Sequence, residues 1–119
     1  MQGTEMTFLD YDVNRWDYYE AGNYDDEGYY GATLDVPDIT RDVVKYGNVQ
    51  VSCYDQGKWS PLPMMRVNSD IRDDGSEIIY TTYTDFDWSD RTVTIYVTAS
   101  DLYGGVRPGA MSFRVYITQ

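Results

Sequence analysis

Strict two-residue alternation constrains this chain more than any other feature. Between Thr92 and Ser100, the residues Val93, Ile95, Val97 and Ala99 fall on one side and Thr92, Thr94, Tyr96 and Thr98 on the other. A helix with a period near 3.6 would scatter those apolar groups around its axis, whereas a pleated strand collects them on one face. The C-terminal stretch repeats the pattern, with Met111, Phe113, Val115 and Ile117 alternating with Ser112, Arg114, Tyr116 and Thr118. Asn48–Tyr54 does the same, with Val49, Val51 and Cys53 on the dry side. Each is a strand with one face for a core and one for water.

Weaker signals place further strands at Met6–Tyr11, Ala32–Val36, Lys58–Leu62 and Ile78–Asp85, giving about seven. Asp55-Gln56-Gly57, Asp73-Asp74-Gly75, Ser89-Asp90 and Gly104-Gly105 separate several of them as turns. Half-wet strands suit antiparallel pairing, and two such sheets bury their dry faces on each other. The expected fold is an all-β, antiparallel two-sheet sandwich in one domain spanning 1–119. A closed barrel is the alternative. Pro61 and Pro63 cannot donate to a ladder, so Trp59–Pro63 belongs at a sheet edge or a strand exit.

One short helix is expected over Arg41–Tyr46. Thr40 can cap its N-terminus and Asp42 complements its positive end. Ile39 and Val44 are spaced for a hydrophobic staple, Lys45 lies in the last turn, and Gly47 follows as a natural C′ residue. Asn14–Gly31 shows little periodicity and reads as a long loop.

Charge narrows the possible partners. The formal net charge of −11 would repel nucleic acid and anionic membranes. Between Asp10 and Asp42 there are ten acids against Arg15 and Arg41. Such acidity serves solubility, with cation or cationic-partner binding as the sharper alternative. No stretch reaches the roughly 18 apolar residues of a membrane helix. The single cysteine, Cys53, allows no internal disulfide and falls on the dry face of its strand.

Histidine is absent, which removes Ser-His-Asp and Cys-His catalysis and histidine zinc sites. Nor does the chain carry a phosphate-cradling glycine motif. Calcium loops of the EF-hand type fail at both possible starts. From Asp85 the sixth position is Asp90 and the twelfth Tyr96; from Asp70 the third is Arg72. Asp85, Asp87 and Asp90, or Asp25, Asp26 and Glu27, are the weak candidates for another kind of cation site. Paired carboxylates alone discriminate nothing among 20 acids. The expectation is a non-enzyme without a cofactor.

The remaining lead is aromatic. Trp16, Tyr18, Tyr19, Tyr24, Tyr29 and Tyr30 crowd one segment among carboxylates. Rings stack on the C–H faces of sugars, and Tyr and Trp are rigid anchors at protein interfaces. The third possibility is that the rings bury themselves at the sandwich edge. These six are the candidate ligand-binding residues, and the expected partner is a protein or a glycan.

Four blocks carry a resemblance: Trp16 after the first strand; Val36-Pro37-Asp38-Ile39-Thr40 with Asp42-Val43-Val44 and Gly47-Asn48-Val49-Gln50-Val51; Gly57-Lys58-Trp59-Ser60-Pro61-Leu62-Pro63; and Phe113-Arg114-Val115-Tyr116-Ile117. In these the chain resembles small secreted or lipid-anchored β-sandwich proteins of Bacteroidetes. The resemblance implies an immunoglobulin-like sandwich, an extracytoplasmic location (secreted or outer-membrane-anchored) and a lipid anchor upstream of Met1. It supplies no site residues. The long Tyr/Asp-rich insertion departs from the pattern.

Overall fold

The computed structural model describes residues 6–19, 28–99 and 108–119. Nine strands and one helix follow in order: β1 (Met6–Val13), β2 (Asp17–Tyr19), β3 (Tyr29–Asp35), α1 (Arg41–Tyr46), β4 (Asn48–Asp55), β5 (Lys58–Pro61), β6 (Met64–Ile71), β7 (Glu77–Ser89), β8 (Thr92–Ala99) and β9 (Met111–Thr118). They form a four-stranded sheet, ordered β1-β9-β4-β5, and a five-stranded sheet, ordered β2-β3-β8-β7-β6. Every pairing is antiparallel. The two sheets pack face to face, as the alternation requires.

The core is built from the dry faces expected of β4, β8 and β9. Val49, Val51, Cys53, Val93, Ile95, Phe113, Val115 and Ile117 are all buried, and Leu34 and Ala32 join them from β3. Each fully buried aliphatic or aromatic side chain of this size contributes roughly 1.5–3 kcal/mol relative to exposure. The ends are closed by Trp16 and by the segment around α1. The Trp16 ring meets Phe113 edge-on at 6.2 Å, and its indole N–H donates to Gly109 O at 3.0 Å.

The helix spans the expected residues, with the Thr40 hydroxyl accepting from Val43 N–H. Two details differ. Val44 is 48% exposed, so no Ile39–Val44 staple is built; Val43 is the residue α1 buries, beside the buried Ile39. Gly47 has φ −107°, not the left-handed value of a C′ glycine. It is needed because a Cβ there would lie 2.3 Å from the Thr118 carbonyl oxygen. The turns behave as their residues dictate. Gln56 and Gly57, both at positive φ, close the β4–β5 hairpin. Gly75 at φ 84° closes β6–β7. Arg91, at φ 63°, is held by Val36 N–H donating to its carbonyl and by its own N–H donating to Ile39 O. The expected turn at Gly104-Gly105 lies outside the described residues.

Two strands were not expected. β2 crosses the segment read as a loop and pairs with the start of β3. β6 pairs with β7 over eight residues. Its pattern is inverted: Met65, Val67 and Ile71 face water while Arg66 and Asn68 are half-buried. β7 extends to Ser89, and among the described residues Glu77–Thr81 pairs only with β6, beyond the reach of β8. The inner side of β6 is polar where it meets the four-stranded sheet, since Arg66 donates to Asp55 and Ser60 there, so the usual alternation is not imposed on it.

The free edge of the β6–β7 ribbon is blunted from within. Ladder alternation from the Arg72–Ser76 closure turns the backbone groups of Met65, Val67, Ser69 and Ile71 away from β7. The Asp70 carboxylate accepts from Ile71 N–H at 2.8 Å, and the Arg66 guanidinium donates to Met65 O at 3.0 Å. Side chains that occupy edge groups discourage pairing with another chain.

Two outcomes check this account. Phe113→Ala should cost about 3–5 kcal/mol in urea unfolding, whereas Phe8→Ala, at a 56% exposed position, should cost less than about 1 kcal/mol. Burial, with the nearby Asp55 charge adding to it, pushes the Cys53 thiol up to about 11. The folded protein should therefore resist alkylation by iodoacetamide at pH 8 and react only once unfolded.

Candidate functional site

Strand alternation splits the aromatic candidates between two faces. Trp16 is 2% exposed and belongs to the core; a ring closed in this way cannot stack on a ligand, which corrects its place among the binding candidates. Tyr18 and Tyr30 are cross-strand partners whose rings meet at 5.0 Å. Tyr19 and Tyr29 pair on the opposite, outward face. Tyr24 lies outside the described residues.

The outward pair is part of a longer row. Tyr19 and Tyr29 stack with centroids 5.1 Å apart and planes at 19°. Tyr29 meets Tyr96 of β8 edge-on at 5.5 Å. Tyr29 therefore touches both Tyr19 and Tyr96, linking three rings from β2, β3 and β8 across the outside of the five-stranded sheet. Gly31 makes room for the row: a Cβ there would come within 3.2 Å of the Tyr19 ring, so the ring lies over the bare glycine backbone.

Beyond Tyr96 the face continues onto β7. The Tyr96 hydroxyl donates to Asp87 Oδ2 at 2.7 Å. Asp85, opposite Tyr96 in the ladder, shares its face. Tyr83, 47% exposed, pairs with Thr98 on β8 and Met65 on β6. Met65, Val67 and Ile79 then form an exposed apolar strip at the edge. The hydrogen bond to Asp87, with partial burial adding to it, pushes the Tyr96 phenol up to about 12. A carboxylate that accepts this proton stabilises the neutral phenol, so Tyr96 remains a donor throughout the ordinary pH range.

The cation candidates do not assemble. Asp85 and Asp87 share the outer face, but Asp90 sits in the β7–β8 turn, 3.9 Å from the Arg41 guanidinium. Among the described residues no group of three or more acids or cysteines is arranged to hold a metal ion. Asp25, Asp26 and Glu27 lie outside the described residues. No helix among the described residues is long and apolar enough to cross a membrane.

Behind the tyrosine face, between the sheets, lies a half-open cavity of about 190 Å³. Tyr30, Met64, Val97, Ala99 and Met111 make it mostly apolar. Several of its polar groups are already engaged. Arg66 Nε donates to Asp55 at 2.6 Å and Nη2 to Ser60 Oγ at 3.0 Å, and Asn68 Nδ2 donates to Thr82 Oγ1 at 3.0 Å. Among the described residues no buried side-chain nitrogen or oxygen lacks a partner.

Sequence reasoning missed Tyr83 and Tyr96 as companions of Tyr19 and Tyr29. Both stand on the wet face of a legible strand, yet their proximity to the first tyrosine segment depends on which strands become neighbours. The fold and face together define an all-β sandwich with an exposed row of tyrosines on one sheet. No known family model, curated protein or solved structure matches the chain.

The Asp87–Tyr96 bond has a measurable consequence. In protein labelled at the tyrosine ring Cζ carbon, NMR titration of Asp87→Asn should bring the Tyr96 titration midpoint down from about 12 toward the ordinary tyrosine range. No downward movement would mean that the carboxylate does not hold the phenol.

Proposed function

We propose that this chain is a non-enzymatic binding module of an extracytoplasmic bacterial surface protein, engaging a protein partner through the outer face of its five-stranded sheet. The observation that carries the reading is the row Tyr19–Tyr29–Tyr96, rings linked through Tyr29 across three strands. Rings that brace one another lose little freedom on binding, which is what makes tyrosine an effective interface anchor. The extracytoplasmic placement rests on the likeness to secreted and lipid-anchored sandwich proteins of Bacteroidetes.

A glycan is the competing ligand for the same face. Sugar stacking needs an open ring face. The nearly parallel Tyr19 and Tyr29 rings each cover one face of the other, and Tyr29 also meets Tyr96 edge-on. That arrangement supports a protein partner over a sugar.

Two parallel measurements test the reading. A glycan array probed with the wild-type domain should stay blank. Capture from the envelope fraction of its own cells should retain a protein that a Tyr19→Ala/Tyr96→Ala variant loses while keeping its melting temperature within a few degrees. A sugar signal abolished by the same double substitution would make the ligand a glycan. Capture unaffected by it would remove the face from the function.

A further inference from the structure

The outer face of the five-stranded sheet carries charge of one sign. Its outward positions include Asp17 on β2, Asp35 on β3 and Glu77, Asp85 and Asp87 on β7, all exposed. Among the described residues, no lysine or arginine occupies an outward position on any of its five strands. The described cations sit elsewhere: Arg15 just before β2, beside Asp17 in the lining of one surface pocket, Arg41 and Lys45 on α1, Lys58 on β5, Arg72 and Arg91 in turns, Arg66 on the inner side of β6 with Asp55, and Arg114 on the other sheet.

That other sheet shows what the same ingredients do when an arginine is present. Arg114 lies with its guanidinium carbon 4.2 Å from the Trp59 ring centre and 4.9 Å from that of Phe8. It also grips Asp10 through two bonds, Nε to Oδ1 at 2.7 Å and Nη2 to Oδ2 at 3.0 Å. Rings and a carboxylate converge on one planar cation. The five-stranded sheet presents rings (Tyr19, Tyr29, Tyr96, Tyr83) and carboxylates (Asp85, Asp87) on one face but, among the described residues, no cation on the outward side of its strands.

From this contrast we infer that the tyrosine face docks an arginine-rich segment of a partner protein. This rests on the protein-binding role assigned to that face above and names the chemistry of the partner. Guanidinium groups stack on aromatic rings and pair with carboxylates in the plane, which an ammonium does less well. Their aliphatic stems suit the apolar strip of Met65, Val67 and Ile79. The segment lies across the face and does not extend the sheet, because Asp70 and Arg66 already occupy backbone groups at the β6 edge.

Fluorescence anisotropy with labelled nona-arginine and nona-lysine peptides at 150 mM salt tests this on the whole chain. The expected result is measurable binding, tighter for arginine than for lysine. Asp85→Asn/Asp87→Asn should weaken it about tenfold. The charge-matched control Asp38→Asn/Asp73→Asn, away from the face, should stay within about twofold. Tyr83→Ala, which changes no charge, should weaken arginine binding more than lysine binding. Melting curves confirm that each variant folds. Equal losses in the face and control variants would reduce the effect to diffuse attraction by an acidic protein and overturn the proposal, as would equal affinity for the two peptides or no binding at all. If no arginine peptide binds while envelope capture still depends on Tyr19 and Tyr96, the basic partner is wrong and the face keeps its role. If neither depends on the face, both fall.

Discussion

The burial of β9 between its neighbours is the interaction on which the rest of this structure depends. β9 lies between β1 and β4 in the four-stranded sheet, and its inward residues Phe113, Val115 and Ile117 are almost wholly buried. Opposite them, β8 and β3 contribute Val93, Ile95 and Leu34. Apolar contact between these faces is the main favourable term. It also fixes register, because a slip of one residue would turn every inward side chain of β9 toward water.

Once the inner faces are committed to packing, the outer faces are left free, and the two sheets use them differently. On the four-stranded sheet, Arg114 is locked among Phe8, Trp59 and Asp10, and that surface is internally paired. On the five-stranded sheet, tyrosines lean on one another, and Asp85 and Asp87 form no ion pair among the described residues. The first surface neutralises itself. The second offers rings, hydroxyls and negative charge outward, as a recognition surface would. In the cavity beneath, Arg66 and Asn68 are already engaged by Asp55, Ser60 and Thr82.

Much of the fold is legible in residue order, and the exceptions share a cause. β4, β8 and β9 are readable because burial on one side imposes a period on their sequences, and α1 because Thr40 and Asp42 mark its start. β6 is not, because its inner side is polar: Arg66, paired with Asp55 and Ser60 of the other sheet, and Asn68 take the inner side and Met65 and Val67 the outer, inverting the usual signal. β2 is only three residues long, too short to show a period. The helix staple failed for a related reason. Spacing identifies two apolar residues a turn apart, but the neighbouring strands decided that Val43 and not Val44 would be covered.

Sequence by itself determined that this chain pairs strands antiparallel, hides Val, Ile and Phe on one face, keeps Cys53 buried, and has no histidine with which to build a triad. Those properties follow from local alternation and residue chemistry, which need no knowledge of distant neighbours. Only the tertiary structure decided that Trp16 is core while Tyr19 is surface, and that Tyr29 meets Tyr96 from 67 positions away. It likewise decided that Arg114, not a residue of the five-stranded sheet, receives the aromatic clamp. Strand order sets which side chains become neighbours across a sheet, and strand order is the outcome of packing the whole chain at once.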